Sequence, residues 1–458
     1  MSAAARGLSR ELGLAAGAAV IVANVVGTGV FVKARVMTCN VGEPWLVLAA
    51  WGVGGAFTLA GAIAYAELAA MLPRAGGEMW FLRSAYGRGL AFLYGWMQIL
   101  VGKSGSQAAL AVALAIFVND ALGGALSPAA SSGVALAAIA AATAINLATV
   151  RSNGALAIAL TLVKMSMIGA LAFAAFVAWQ GGVADAAPLA AGGAQACADV
   201  PASARGGFAG FGAAVIGALW GYSAWGNLTL LGSELKDPGR NFPRALILAV
   251  GSIVALYGLA NAAYFVALTP AEVMAIPPSS SVARELAVRA LGPLAAAAMA
   301  TCLVVSAFGS LHVSMLTGAR IPYALARESL LPDVFGRVSA RSAPWASVLV
   351  QGAWAAVLAL SGSFDALTDY TVFGGLAFQA LAVAAIFVLR RREPDAERPY
   401  RAWGYPVVPA LYVLATVWLV ANTLLATPGR ALAGVALIAL GLPVYAWLAR
   451  RAPAAPQG

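Results

Sequence analysis

Long apolar runs, each ended by a short cluster of polar or turn-forming residues, repeat along nearly the whole chain. Twelve can be read, over 12–37, 44–72, 90–119, 129–149, 153–179, 207–235, 242–268, 292–320, 344–362, 365–390, 407–427 and 430–449. Most reach the roughly 20 residues that a helix needs to cross a hydrocarbon layer. The breaks between the ninth and tenth runs and between the last two are the shortest. Two connecting segments are longer, 180–206 and 270–291, and the second ends in Ala283–Leu291, which predicts a short helix lying over the outer face. Neither has the size or charge of a separate unit. The pattern predicts one all-α integral membrane domain over 1–458 with twelve transmembrane helices.

Composition agrees with that reading. Of 458 residues, 62% are hydrophobic and 10% charged, against roughly 25% charged in a soluble domain. A soluble globular protein and a disordered one are both excluded. The net charge of +10 would suggest nucleic acid in a soluble chain. With the amino terminus inside, however, 20 of the 28 lysines and arginines fall on inner segments or the inner ends of runs, 6 on outer segments or outer ends, and 2, Lys103 and Lys164, deep inside runs. This asymmetry predicts cytoplasmic termini in a plasma or inner cell membrane, and no nucleic-acid partner. No cleavable leader is expected, because Met1 to Glu11 is short and the apolar run after it is too long. The three cysteines, Cys39, Cys197 and Cys302, make no metal site. Cys39 and Cys197 both fall outside and could pair.

Two runs carry interruptions at mid-depth. The first reads Val25-Val26-Gly27-Thr28-Gly29-Val30-Phe31, and the sixth reads Leu219-Trp220-Gly221-Tyr222-Ser223-Ala224-Trp225-Gly226. Each glycine costs roughly 1 kcal/mol in a helix interior, so the alternatives are close helix packing or an unwound segment. Matching interruptions in two halves are a pointer to a transporter site. Runs one and six lie five apart, as the leading helices of two inverted five-helix repeats would. An unwound helix bares N–H groups that suit a carboxylate and C=O groups that suit an ammonium. An α-amino acid offers both. Thr28 would add a hydroxyl to the carboxylate, with Trp220, Tyr222 and Trp225 as lid and wall.

Lys164 stands eleven residues into the fifth run, a depth of about 16 Å at helical rise. An intramembrane charge costs at least ~2.5–3.5 kcal/mol, so it needs partners. No acidic residue was found at its depth, which leaves carbonyls freed by the first break. A lysine there would do the work of a bound sodium ion, and could also carry a proton. Lys103 is a second intramembrane lysine, read as accessory in a polar lining. His312 is read as a hydrogen-bonded neighbour. No Ser/His/Asp set, carboxylate pair or metal cluster is found at mid-depth, so neither an enzyme nor a cofactor is expected.

At these residues the chain resembles the amino acid–polyamine–organocation superfamily, and within it the L-type amino acid transporter family. The resemblance rests on Val26 to Phe31, on Gly61-Ala62-Ile63-Ala64-Tyr65-Ala66-Glu67-Leu68 with Pro73-Arg74-Ala75-Gly76-Gly77, and on Leu219 to Trp225 with Glu234 to Arg244. Further along, Ala307-Phe308-Gly309-Ser310 and Leu316 to Arg327 continue it in family order. It implies a five-plus-five inverted repeat over 12–362 and 365–390 with two appended helices over 407–449. It further implies that Thr28 and Gly29 take the substrate carboxylate, that carbonyls of Val25, Trp220 and Ser223 take the amine, and that Trp220 caps the pocket. Lys164 matches the family's lysine at the place of an ion, with Ser310 beside it. The wider substrate-binding set is Val25, Val26, Gly27, Thr28, Gly29, Trp220, Gly221, Tyr222, Ser223 and Trp225. Residues 119–128 hold no cysteine for the disulfide to a partner subunit that animal members form, so no such partner is expected, while pairing with a second copy stays open. Gly226 and His312 stand where many members carry asparagine.

The implied function is a secondary transporter of neutral L-amino acids, exchanging without sodium. No acidic residue is expected to line the pocket, which argues against a cationic substrate. A proton-coupled symporter or exporter is the alternative within the class, and a non-transporting amino acid sensor the alternative outside it.

Overall fold

A computed structural model describes residues 12–74, 76–148, 153–177, 196–278, 280–339, 343–362, 364–426 and 428–451. Met1–Glu11, Ala75, Arg151, Arg341 and most of the 180–206 connection lie outside the described residues.

The described chain is helical. In order come α1 (Leu14–Val25), α2 (Gly29–Val41), α3 (Pro44–Met71), α4 (Glu78–Tyr86), α5 (Arg88–Met97) and α6 (Lys103–Ala121). α5 runs into α6 through a π-helical turn, Gln98–Gly102. Next are α7 (Pro128–Ala148), α8 (Asn153–Val177), α9 (Gly207–Tyr222), α10 (Asn227–Leu230) and α11 (Pro238–Ala267). The short α12 (Pro270–Ala275) and α13 (Val282–Leu291) precede α14 (Pro293–Gly318), α15 (Arg320–Arg327) and α16 (Trp345–Ser361). Last are α17 (Phe364–Arg392), α18 (Val407–Ala426), α19 (Pro428–Ala439) and α20 (Gly441–Arg451).

Prolines stand in the first turn of α3, α11, α12 and α14, where the missing N–H costs nothing and the fixed φ suits the helix. A reciprocal capping box between Thr269 and Glu272 starts α12. Among the described residues, seven helices or helix runs are long and apolar enough to cross a membrane, and the bent pair α1–α2 makes an eighth. The apolar helices of the sixth and ninth sequence runs, α9 and α16, are shorter than 18 residues. Large apolar side chains face outward, among them Phe173, Leu294, Leu414 and Leu425, as a lipid environment requires. The twelfth run divides at Leu440 into α19 and α20, and the outer helix read at Ala283–Leu291 is α13.

Inside, α6 packs along α14, α3 along α11 and α2 along α9, while α1 touches α11, α8 and α14. Two ends of the bundle are held differently. At one, Cys39 and Cys197 form a disulfide with Cα atoms 5.7 Å apart, inside the usual range, and Arg35 pairs with Asp199 at 2.8 Å. At the other, the fully buried Glu67 pairs with Arg390 at 2.6 Å and Glu234 with Arg320 at 3.1 Å. There too Leu12 lies parallel to Leu235, its N–H donating to Glu234 O at 3.0 Å while Lys236 N–H donates to Leu12 O at 2.8 Å.

Candidate functional site

The first interruption is a true break. α1 stops at Val25, α2 starts at Gly29, and their axes differ by 43°. The last carbonyls of α1 have no acceptor role left within the helix, and one of them, Ala23 O, receives a lysine. Lys164 of α8 is buried and donates to Ala23 O at 2.7 Å and to Ser310 Oγ at 2.8 Å. Ser310 Oγ in turn donates to Ala23 O at 3.1 Å. A methyl on Gly27 would come within 3.1 Å of Ser310 Oγ, so the glycine lets α14 approach the broken segment. Thr28 Oγ1 and Asn24 Nδ2 are buried beside the break with no hydrogen-bond partner.

The second break lies one turn later than the glycine pattern suggests. α9 stays helical through Gly221 to Tyr222, and the chain unwinds over Ser223–Gly226, with Ala224 at φ 72°. Close packing explains Gly221 instead. A methyl there would meet the Trp51 ring at 2.5 Å, and one on Gly29 would meet Gly221 Cα at 2.4 Å. α2 and α9 therefore cross backbone to backbone at two glycines, the packing alternative of small residues. Ala224, a non-glycine residue in the left-handed region, carried no signal in the sequence.

Several proposed contacts have other occupants here. The Tyr257 hydroxyl of α11, which sequence reasoning missed, donates to Val25 O at 2.8 Å and lies 3.1 Å from Gly221 O. Trp220 O accepts the Ser223 N–H at 3.0 Å. Each carbonyl keeps a second lone pair. Tyr222 is a core aromatic: its hydroxyl donates to Trp51 O at 3.1 Å, and its ring stands 5.3 Å from Tyr257. Trp220 lies against Gly29, with its Cδ1 3.3 Å from where a methyl there would sit.

A chamber lies beside the second break. Of the sequence candidates, Ser223 and Trp225 line it, whereas Val25, Val26, Gly27, Thr28, Gly29, Trp220, Gly221, Tyr222, Lys164 and Ser310 do not. The other walls come from α3 through Thr58, from the π turn through Gln98, from α6 through Lys103 and from α17 through Thr371 and Gln379.

The expectation that no carboxylate lines the pocket is corrected by Glu78, which does. It lies between the second and third apolar runs, 44–72 and 90–119, outside every predicted span. Gly76 and Gly77, at φ 105° and 48°, turn the chain back so that α4 begins inside the bundle. A Gly-Gly pair followed by an acidic residue and Met79-Trp80-Phe81-Leu82 was the available signal. Burial pushes the Glu78 carboxyl up to about 7, with Tyr65, Lys103 and Tyr94 facing it and holding the rise in check. Lys103 Nζ donates to Asn227 Oδ1. His312 meets Asn146 Nδ2 at 3.0 Å through Nδ1, away from the chamber, in keeping with its reading as a hydrogen-bonded neighbour.

A helical bundle with an interrupted helix held by a buried lysine, and a polar chamber at a second interruption, is the architecture of a multi-pass membrane transport protein. The chain matches the family model described as amino acid permease over residues 12–448, and it belongs to that family. It is 26% identical over 449 residues to the serine/threonine exchanger SteT of Bacillus subtilis, covering 97% of this chain and 98% of the relative. It is 29% identical over 451 residues to the human large neutral amino acids transporter small subunit 2, covering 96% and 80%. The mouse Asc-type amino acid transporter 1 is 26% identical over 442 residues, covering 96% and 81%.

Proposed function

We propose that this permease exchanges neutral L-amino acids across a cell membrane without sodium, by alternating access. Its twelve spans would form a five-plus-five inverted repeat over 12–362 and 365–390 with two appended spans over 407–449, both termini facing the cytoplasm. The observation that carries the reading is the Lys164 ammonium, seated on Ala23 O and Ser310 Oγ at the first break. An ammonium in that place supplies the positive charge that would otherwise have to be recruited from solution, so the broken helix is held in every turnover without an ion. Gly29 N–H and the unpartnered Thr28 hydroxyl are the donors for a substrate carboxylate at the head of α2. The remaining lone pairs of Val25 O and Trp220 O, with Ser223 O, serve the amine, and Trp220 covers the crossing of α2 and α9. The name of one relative, the serine/threonine exchanger SteT, supports the same reading.

Purified protein in liposomes tests it. Labelled amino acid uptake should require unlabelled amino acid inside and should be indifferent to replacing sodium with choline. Uptake into empty vesicles driven by a pH gradient would replace exchange with proton symport, and binding without flux would leave a sensor.

A further inference from the structure

The chamber beside the second break has a chemical character that exchange alone does not require. Two buried side-chain atoms on its wall lack partners. One is Glu78 Oε2 and the other is Asn227 Nδ2, on residues with 8% and 7% of their surface exposed. A buried polar group without a partner carries a desolvation cost, and both residues line the chamber. The orientation of Asn227 is set by Lys103, which donates to its Oδ1 and leaves its N–H groups without a partner. The two residues are neighbours, because a methyl on Gly226 would lie 3.4 Å from Glu78 Oε1. One wall therefore presents an acceptor and a donor side by side.

We propose that this chamber is the side-chain subsite of the transported amino acid, and that Glu78 and Asn227 select side chains bearing a hydroxyl or a carboxamide. The proposal rests on the exchange reading above. Such groups both donate and accept, so one of them satisfies Glu78 and Asn227 together. Charge narrows the choice further. Glu78 and Lys103 balance one another, so a cationic side chain meets the lysine and an anionic one meets the carboxylate. A branched aliphatic side chain would fill the space yet leave both polar atoms without partners. Gln98 and Gln379 extend the polar lining, and Ser223 with Trp225 connects the subsite to the unwound backbone.

Isosteric pairs in the liposome exchange assay separate shape from hydrogen bonding. Threonine and valine differ by a hydroxyl in place of a methyl, and asparagine and leucine have similar shapes. Wild-type protein should favour threonine over valine, and asparagine over leucine, by about tenfold or more in kcat/KM. Asn227→Leu and Glu78→Leu should bring each ratio toward one, with valine uptake rising rather than threonine uptake merely falling. A wild-type protein that exchanges valine as well as threonine overturns the subsite and leaves the exchange reading standing. Absence of exchange for every amino acid overturns both. Should a leucine variant fail to insert, the wild-type ratios decide, together with Glu78→Gln, which keeps size and polarity and should retain at least half of the threonine preference. Unchanged ratios in inserted leucine variants also sink the proposal.

Discussion

Two of the buried lysines, Lys164 and Lys103, are used in different ways. Lys164 is enclosed: its two contacts, Ala23 O and Ser310 Oγ, are both fixed parts of neighbouring helices, and it touches no open space. Lys103 borders the chamber, holds one amide oxygen of Asn227 and faces a carboxylate across it. On the proposed reading, an enclosed cation satisfied by backbone and hydroxyl acts as a bolt for a broken helix, and a cation at a chamber wall, balanced by an acid, sets the polarity of what enters. Both follow from one constraint, that a charge inside a membrane must be matched by protein groups, and the source of the matching groups decides the role.

The strongest way to break this contrast is Lys164→Ala. It strips two acceptors of a charged donor, each bond worth roughly 1.5–3 kcal/mol, so exchange should fall by roughly a hundredfold while the protein still inserts. Wild-type flux from an inserted variant, measured in liposomes, would remove the bolt. Next comes Thr28→Val, which keeps shape and deletes a buried, unpartnered hydroxyl. Substrate affinity should weaken by about tenfold or more in direct binding, with no loss of thermal stability because no native bond is removed. Ser310→Ala leaves Lys164 on one partner and should cost about tenfold in flux. Lys103→Met should act mainly on choice of substrate: threonine exchange falls by about threefold to tenfold, and the competition profile shifts more than the rate. A hundredfold loss of all substrates would make the two lysines alike.

Arg35–Asp199 is the smallest of these effects, a cation whose partner is open to water. Arg35 holds the Asp199 carboxyl below its ordinary value of 3.8. A depressed carboxyl contributes stability above its unfolded pKa, and that contribution is lost as pH falls through the folded pKa. Screening at the exposed aspartate limits it to about 1 kcal/mol or less. Asp199→Asn should therefore lower the melting temperature slightly at pH 7, and the difference from wild type should shrink as pH falls below 3.8 and vanish once it has passed the folded pKa of Asp199.

The first break was legible because Gly27-Thr28-Gly29 stands in an apolar run with no other reason to bend. The place of Lys164 was legible too, since depth alone excluded water and acids as partners. The second break was not readable to the residue. Gly221 is a glycine for the sake of Trp51 and Gly29, contacts set by tertiary packing, while the left-handed residue is an alanine. Glu78 was missed because hydrophobic periodicity registers helices that cross, and this carboxylate returns to the bundle through a glycine turn outside any run. Lys103 was visible as an intramembrane charge, but its use depends on Asn227 and Glu78, which approach it only in three dimensions. Helix number was the least determined feature, since several runs form helices too short or too divided to qualify singly as crossings.

The pairing of Leu12 with Leu235 joins the approach to α1 with the exit from α10 through main-chain atoms alone. Any side chain but proline can stand at Leu12 without untying it, so substitutions that alter the cargo or its affinity need not loosen this seam. The lower limbs of the two interrupted helices are thereby yoked, and whichever way the vestibule opens, they must swing together or let the seam part first.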